Sequence, residues 1–199
     1  MKSSYREAGY ELLGYADQGF RVMSTNKKIE HFQDFKGQKV RTMENSYHIH
    51  FFKALGANPT PMNFSEVYIG LQQNTIDAQE NPYEVIASNR LYEQQDYVIN
   101  TNHLPHLISL IVSEEFYEQL SVKEQKILAE AQRLACDYAR KEADLRISQR
   151  MKEIEDSGTK ILELSEDTWN EMKEAAMPVR EEIQKNVSEK IIESYVENS

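Results

Sequence analysis

Apolar positions along the chain change period several times, and each change marks an expected element boundary. From residue 10 to 23, YELLGY and the β-type residues of FRVMS predict extended chain, broken by a turn or bend at Asp17-Gln18-Gly19. A polar stretch then ends on the turn Asp34-Phe35-Lys36-Gly37, which leads into the strand KVRTM. Val40 and Thr42 there alternate with Lys39, Arg41 and Met43, so Arg41 points away from the face of Val40. Tyr47, Phe51, Phe52 and Leu55 follow at helical spacing, with Gly56 fitting the C′ position. Asn58-Pro59-Thr60-Pro61-Met62 suits an edge strand, and the three pieces make a βαβ unit of a parallel sheet.

Ser65 is expected to N-cap the helix SEVYIGLQQN, with Val67, Leu71 and Tyr68 on one face and Asn74 at its end. Phe64, just before that cap, is either a hydrophobic staple against Tyr68 or Ile69 or the wall of a cleft. Residues 76–82 read as a short strand or turn that stops at Asn81-Pro82, and residues 83–91 as a second amphipathic piece. Two β-type runs follow, 97–99 and 107–112, the second nearly continuous as in a strand buried on both faces.

Ser121-Val122-Lys123-Glu124 has the capping-box form, and the helical pattern continues to about Asp156. Its stripe is Ile127, Leu128, Ala131, Leu134, Ala135 and Tyr138, thinning through Leu145, Met151 and Ile154. At ~1.5 Å per residue this helix is on the order of 50 Å long, enough to span two lobes or bend between them. Gly158 ends it, residues 159–164 read as a strand, and Ser165 or Thr168 caps a last helix that Pro178 and the YVENS tail break up.

Composition adds exclusions. Hydrophobic residues at 40% and charged residues at 28% are ordinary for a globular domain, and 199 residues can bury a core without covalent staples. A net charge of -10 repels phosphate backbones, so no nucleic acid partner is expected. The single cysteine, Cys136, excludes an internal disulfide and a cysteine-based zinc cluster, and reads as a small core or surface residue. No apolar run approaches the ~20 residues of a membrane-spanning helix, so no direct membrane insertion is expected. The opening residues lack the apolar core of a signal peptide, so either the protein is cytoplasmic or the exporting segment is absent from this chain.

Candidate chemistry is sparse. His31, His48, His50, His103 and His106 do not form a metal-ligand spacing, and read as solvated or hydrogen-bonded; no metal or cofactor is expected. There is no GxSxG, glycine-rich phosphate loop or HExxH. Glu80 is either an acid or base, or an acceptor that holds its loop; the charges of residues 141–155 are a solvated helix face or a partner surface. Arginine remains, whose planar donor fork matches a carboxylate. Arg41 and Asn81, at the ends of the α/β stretch 36–82, suggest an anion pocket. Arg21 is either a solvent-facing strand residue or a charge placed where the chain crosses between lobes.

The blocks GFRVMSTN, DFKGQKVRTMEN, FKALGANPTPMNFSEVYIGLQ, IDAQENP, LYEQQDYVINTNH and LSVKEQKILAEA resemble, in order, the solute-binding proteins of TRAP transporters, the DctP family. The resemblance implies an α/β, two-lobed periplasmic-binding-protein-like fold, incomplete at the N-terminus, with a long helix spanning both lobes. It implies residues 20–103 and 157–199 as the second lobe with C-terminal helices, 1–19 and 104–120 as remnants of the first, and 121–156 as the connecting helix. It further implies a periplasmic or extracytoplasmic protein that captures a small organic acid, such as a C4-dicarboxylate, for the membrane permease subunits of the transporter. By family position, Arg41 pairs with the ligand carboxylate, Arg21 assists, Asn81 is a second contact and Phe64 flanks the ligand.

Three departures qualify that expectation. Ala78 stands where glycine is usual and asks for negative φ; Asn63 replaces a small apolar residue; and the first βα units of lobe one are missing, so the cleft would lack a wall. Competing expectations are a family remnant without ligand binding, an enzyme acting on a carboxylate substrate through Glu80 or the histidines, and an interaction role for the long acidic helices.

Overall fold

A computed structural model describes residues 2–188 and 191–193, so the YVENS tail lies outside the described residues. A short helix α1 (Lys2–Glu7) precedes the long strand β1 (Tyr10–Thr25). Strand β2 (Lys39–Thr42), helix α2 (Ser46–Ala54) and strand β3 (Asn58–Pro61) form the expected βαβ unit, with β2 and β3 parallel. Next come α3 (Val67–Gln72), β4 (Ala78–Pro82), α4 (Tyr83–Ser88) and the second long strand, β5 (Tyr97–Ser113). Helices α5 (Glu114–Gln119) and α6 (Val122–Asp156), strand β6 (Lys160–Glu163) and helix α7 (Glu166–Asn186) follow.

The strands form one sheet in the order β3-β2-β4-β1-β5-β6, with β1 antiparallel to both of its neighbours. Period-two alternation sends successive residues to opposite faces. Val22 of β1 and Val98 of β5 enter a core with Val67, Leu71, Ile86 and Ile154, whereas Met23 and Ile99 enter the other with Val40, Phe52, Leu55 and Met172. Helices therefore cover both faces, α3, α4 and the end of α6 on one and α2 and α7 on the other. The edge strand β3 carries two prolines where a missing N–H costs least, as its sequence predicts.

Beyond this body β1 and β5 continue as a two-stranded ribbon, with partners running from Asp17↔Leu107 to Tyr10↔Ser113. Helix α6 starts at the Ser121 capping box as predicted and lies along the ribbon. Its approach is close at two glycines. A Cβ on Gly14 would sit 2.0 Å from Gln132 Nε2, and one on Gly19, which also has φ +76°, 2.7 Å from Ile147 Cδ1.

Several expectations need correction. The runs at 97–99 and 107–112 belong to one strand, and the second is not buried on both faces: Leu107 is 61% exposed, and Ile108, Leu110 and Ile111 are also exposed. The predicted stripe on α6 is displaced along the ribbon but holds at the end of the helix. Ile127, Leu134, Tyr138 and Leu145 face outward while Cys136 and Ala143 are buried, because the glycines of β1 draw in the side of the helix that carries Gln132, Cys136 and Ile147; Ile154 is buried and Met151 packs against the core, as expected. Ser65 caps nothing; a 3-10 turn at Phe64–Glu66 enters α3 instead. Ser165 caps α7, and Pro178 does not break it, since Met172 and Val179 on either side of the proline are buried and hold the helix on its support. Ala78, by contrast, lies in a strand and is not among the positive-φ residues, as its identity asks.

Candidate functional site

The carboxyl ends of the parallel strands β2 and β4 lie side by side, Arg41 opposite Gln79, and β1 crosses beside them with Arg21 opposite Pro82. Open α/β sheets bind ligands at such ends. All three predicted polar site residues are here. Alternation places Arg41, Gln79 and Asn81 toward one face and Glu80 and Arg21 toward the other.

Arg21 is 1% exposed, which rules out the solvent-facing reading. Its Nε donates to Glu80 Oε2 at 2.5 Å and its Nη2 to Glu80 Oε1 at 3.0 Å. Nη2 also donates to the Glu80 carbonyl at 2.8 Å and to Asn81 Oδ1 at 2.9 Å, and Nη1 donates to His106 Nδ1 at 3.0 Å. This guanidinium is committed to protein partners. Asn81 passes the order onward, donating from Nδ2 to Gln79 Oε1 at 2.6 Å; Gln79 Nε2 donates to Ser24 Oγ at 2.7 Å, and Ser24 to Gln95 Oε1 at 3.0 Å. One Nδ2 hydrogen of Asn81 is left over.

Glu80 is fully buried and is the centre on which this end of the sheet converges. Besides Arg21 it meets His103 Nε2 at 3.2 Å and His48 Nδ1 at 3.4 Å. Burial pushes its carboxyl up, but hydrogen bonds from His103, His48 and Arg21 outweigh that and hold it well below the usual carboxylate range. Burial lowers His103 and His106, the nearby Arg21 charge lowering both further and Glu80 opposing. A neutral His103 fits its bonds, with Nε2–H donating to Glu80 and Nδ1 accepting from Thr101 Oγ1 at 2.8 Å. Of the two readings of Glu80, acceptor and reagent, the geometry favours the acceptor, since its oxygens are surrounded by donors. Among the described residues no group of three or more His, Cys, Asp or Glu could hold a metal ion.

Arg41 differs from Arg21 in one respect that matters. It is 3% exposed, yet it makes no ion pair among the described residues. Its Nε and Nη2 donate to the Met62 carbonyl at 3.0 and 2.7 Å, and its Nη1 makes no hydrogen bond there. Burial lowers its pKa, with the Glu80 charge raising it and Arg21 adding to the fall. The Phe64 ring lies 5.7 Å from the guanidinium carbon and is 41% exposed, a cation–π placement beside Arg41. Thr42, the next residue of β2, carries a buried hydroxyl with no partner among the described residues. Hydrogen bonding inside the protein is thus incomplete at the end of β2, where an unmatched buried group costs about 1–3 kcal/mol.

The arrangement can receive an anion at Arg41, with Phe64 against its carbon frame. Residues 1–186 match the model of the bacterial extracellular solute-binding proteins, family 7, named DctP. The 2,3-diketo-L-gulonate-binding periplasmic protein YiaO of Escherichia coli is 35% identical over 142 residues, covering 71% of this chain and 43% of its own length. A TRAP periplasmic solute-binding protein from Haemophilus influenzae, solved with L-gulonate, superposes with a TM-score of 0.88 at 34% identity, covering 93% of this chain and 61% of that one. One from Shewanella oneidensis, solved with succinate, has a TM-score of 0.90 at 27% identity, covering 96% and 63%. The chain spans about half the length of the curated relatives it matches, 51% and 43% for two of them.

Proposed function

Because the chain belongs to the bacterial extracellular solute-binding proteins of family 7, the DctP family, we propose that it supplies the Arg41 side of a cleft that captures a small organic acid for a TRAP-type transporter. The observation that carries this reading is a buried guanidinium with no carboxylate partner among the described residues. Arg21, equally buried, has Glu80; Arg41 has only a carbonyl and an open Nη1. A ligand carboxylate would complete the fork and neutralise the charge. Phe64 would flank the ligand, the spare Asn81 hydrogen would make a second contact, and Arg21 would act by holding Asn81 in place.

The acids named for relatives, 2,3-diketo-L-gulonate, L-gulonate and succinate, support a carboxylate ligand without choosing among chain lengths. We assign residues 20–103 and 157–199 to the ligand-binding lobe, 1–19 and 104–120 to the other, and 121–156 to the connecting helix. The ribbon of β1 and β5 and the length of α6 support that division. The protein then works outside the cytoplasm and delivers its acid to the membrane permease subunits.

Calorimetric titration with succinate, L-gulonate and related acids tests the site. Arg41→Ala should weaken binding roughly 10- to 150-fold, the worth of a charge-assisted hydrogen bond of about 1.5–3 kcal/mol. Undiminished binding in that variant would remove Arg41 from the site. A folded wild-type chain that binds no acid would instead favour a family remnant without ligand binding.

A further inference from the structure

On the face of the sheet opposite to Arg41, the same strand end borders a cavity of about 300 Å³. Asn45, Tyr47, His48 and Phe51 line it from α2 and the loop before it, His103 and Leu104 from β5, and Val179 and Ile183 from α7. Its walls are mostly apolar, with Asn45, Tyr47 and the two histidines as the polar members. His48 is 9% exposed and bonds Glu80 through Nδ1 at 3.4 Å, while its Nε2 makes no hydrogen bond among the described residues. Beside it the His103 ring is stacked on Phe51, centroids 5.1 Å apart, and has both nitrogens engaged.

We propose that this cavity is a second binding site, for a small neutral ring compound that carries one hydroxyl donor. The volume lies at the lower end of ligand pockets and suits a single six-membered ring. Polarity follows from the proton on His48. A nitrogen that faces the Glu80 carboxylate carries hydrogen, so in the neutral ring the other nitrogen, Nε2, is a lone pair, and a ligand must donate to it. An anion is disfavoured because none of the residues that line this cavity is a lysine or an arginine, and the Arg21 cation behind His48 is already paired with Glu80. The site is therefore unlike the Arg41 end in charge.

Phenol, toluene and benzoate, titrated into the full chain at pH 8 and followed by amide chemical shifts, test the proposal. Phenol should move the amides of His48, Leu104 and Val179, and should bind about fivefold more tightly than toluene, one neutral hydrogen bond's worth. Benzoate should not move those amides. Val179→Trp, which fills the cavity, and Ile183→Trp at its rim should each weaken phenol at least tenfold; the rim variant keeps the test valid where the core variant perturbs folding. Equal affinity for phenol and toluene, tighter binding of benzoate at these amides, or phenol binding unaffected by Ile183→Trp would each overturn it.

Discussion

Glu80→Gln removes one proton's worth of charge and almost no volume, so its effect isolates the electrostatics of the buried centre. Arg21 and Glu80 are 2% and 0% exposed at the side chain, and solvent screening gives no discount. Donors at Arg21 Nε, Arg21 Nη2, His103 Nε2 and His48 Nδ1 converge on the two carboxylate oxygens. Glutamine offers one oxygen and turns an NH2 toward the donors at the other, and it leaves the Arg21 cation without a counter-charge. Breaking one side of such a pair costs roughly 3–5 kcal/mol, and Arg21→Met should cost a similar amount from the other side. Replacing both with apolar residues removes the uncompensated charge, so Arg21→Met combined with Glu80→Leu should recover most of either loss. Urea unfolding at pH 7.5, followed by circular dichroism and by the fluorescence of the single tryptophan, Trp169, measures all of them; coincident transitions justify two-state treatment. A Glu80→Gln loss below about 1 kcal/mol, or strictly additive losses in the double variant, would refute the claim that charge pairing organises this end of the sheet.

Acid should weaken the fold in stages. His103 and His106 are lowered in the folded protein from 6.5, and Glu80 is lowered from 4.5, so in each case the unfolded chain binds protons first as pH falls. Stability is therefore complete above about pH 6.5, declines below it through the histidines, and declines further below the ordinary carboxylate range through Glu80; urea midpoints unchanged from pH 8 to 5 would contradict the histidine stage. Along α6, Ile154→Ala, at a fully buried position, should cost about 2–5 kcal/mol, while Leu145→Ala, 54% exposed, should stay within about 0.5 kcal/mol; equal losses in thermal unfolding would mean that the helix is not anchored at its C-terminal end.

Much of the body was legible because its signals are local. The strand KVRTM, the helix closed by Gly56 at φ +80° and the proline-bearing edge each follow from residue types at fixed offsets. The Ser121 capping box marked the start of α6 within a residue. The buried side of α6 could not be read the same way. Periodicity finds an apolar stripe, but here contact is decided by a partner with no side chain, Gly14 or Gly19, whose closeness rewards small or flexible residues over Leu134 or Tyr138.

The histidines show the same limit at the site. His103 and His106 are three apart, a spacing that would meet on a helix but for Pro105 between them, and that puts them on opposite faces of a regular strand. In β5 the pairing steps from Met23↔Ile99 to Arg21↔Leu104, so one residue of β1 spans four of β5, and Asn102 takes φ +41° within the bulge. That irregularity turns His103 back onto Glu80 and sets His106 against Arg21. The family resemblance supplied Arg41, Arg21, Asn81 and Phe64, but which arginine is free depends on where the Glu80 carboxylate points. Glu80 points at Arg21, and the charge left without an ion-pair partner among the described residues of this strand end is the one at Arg41.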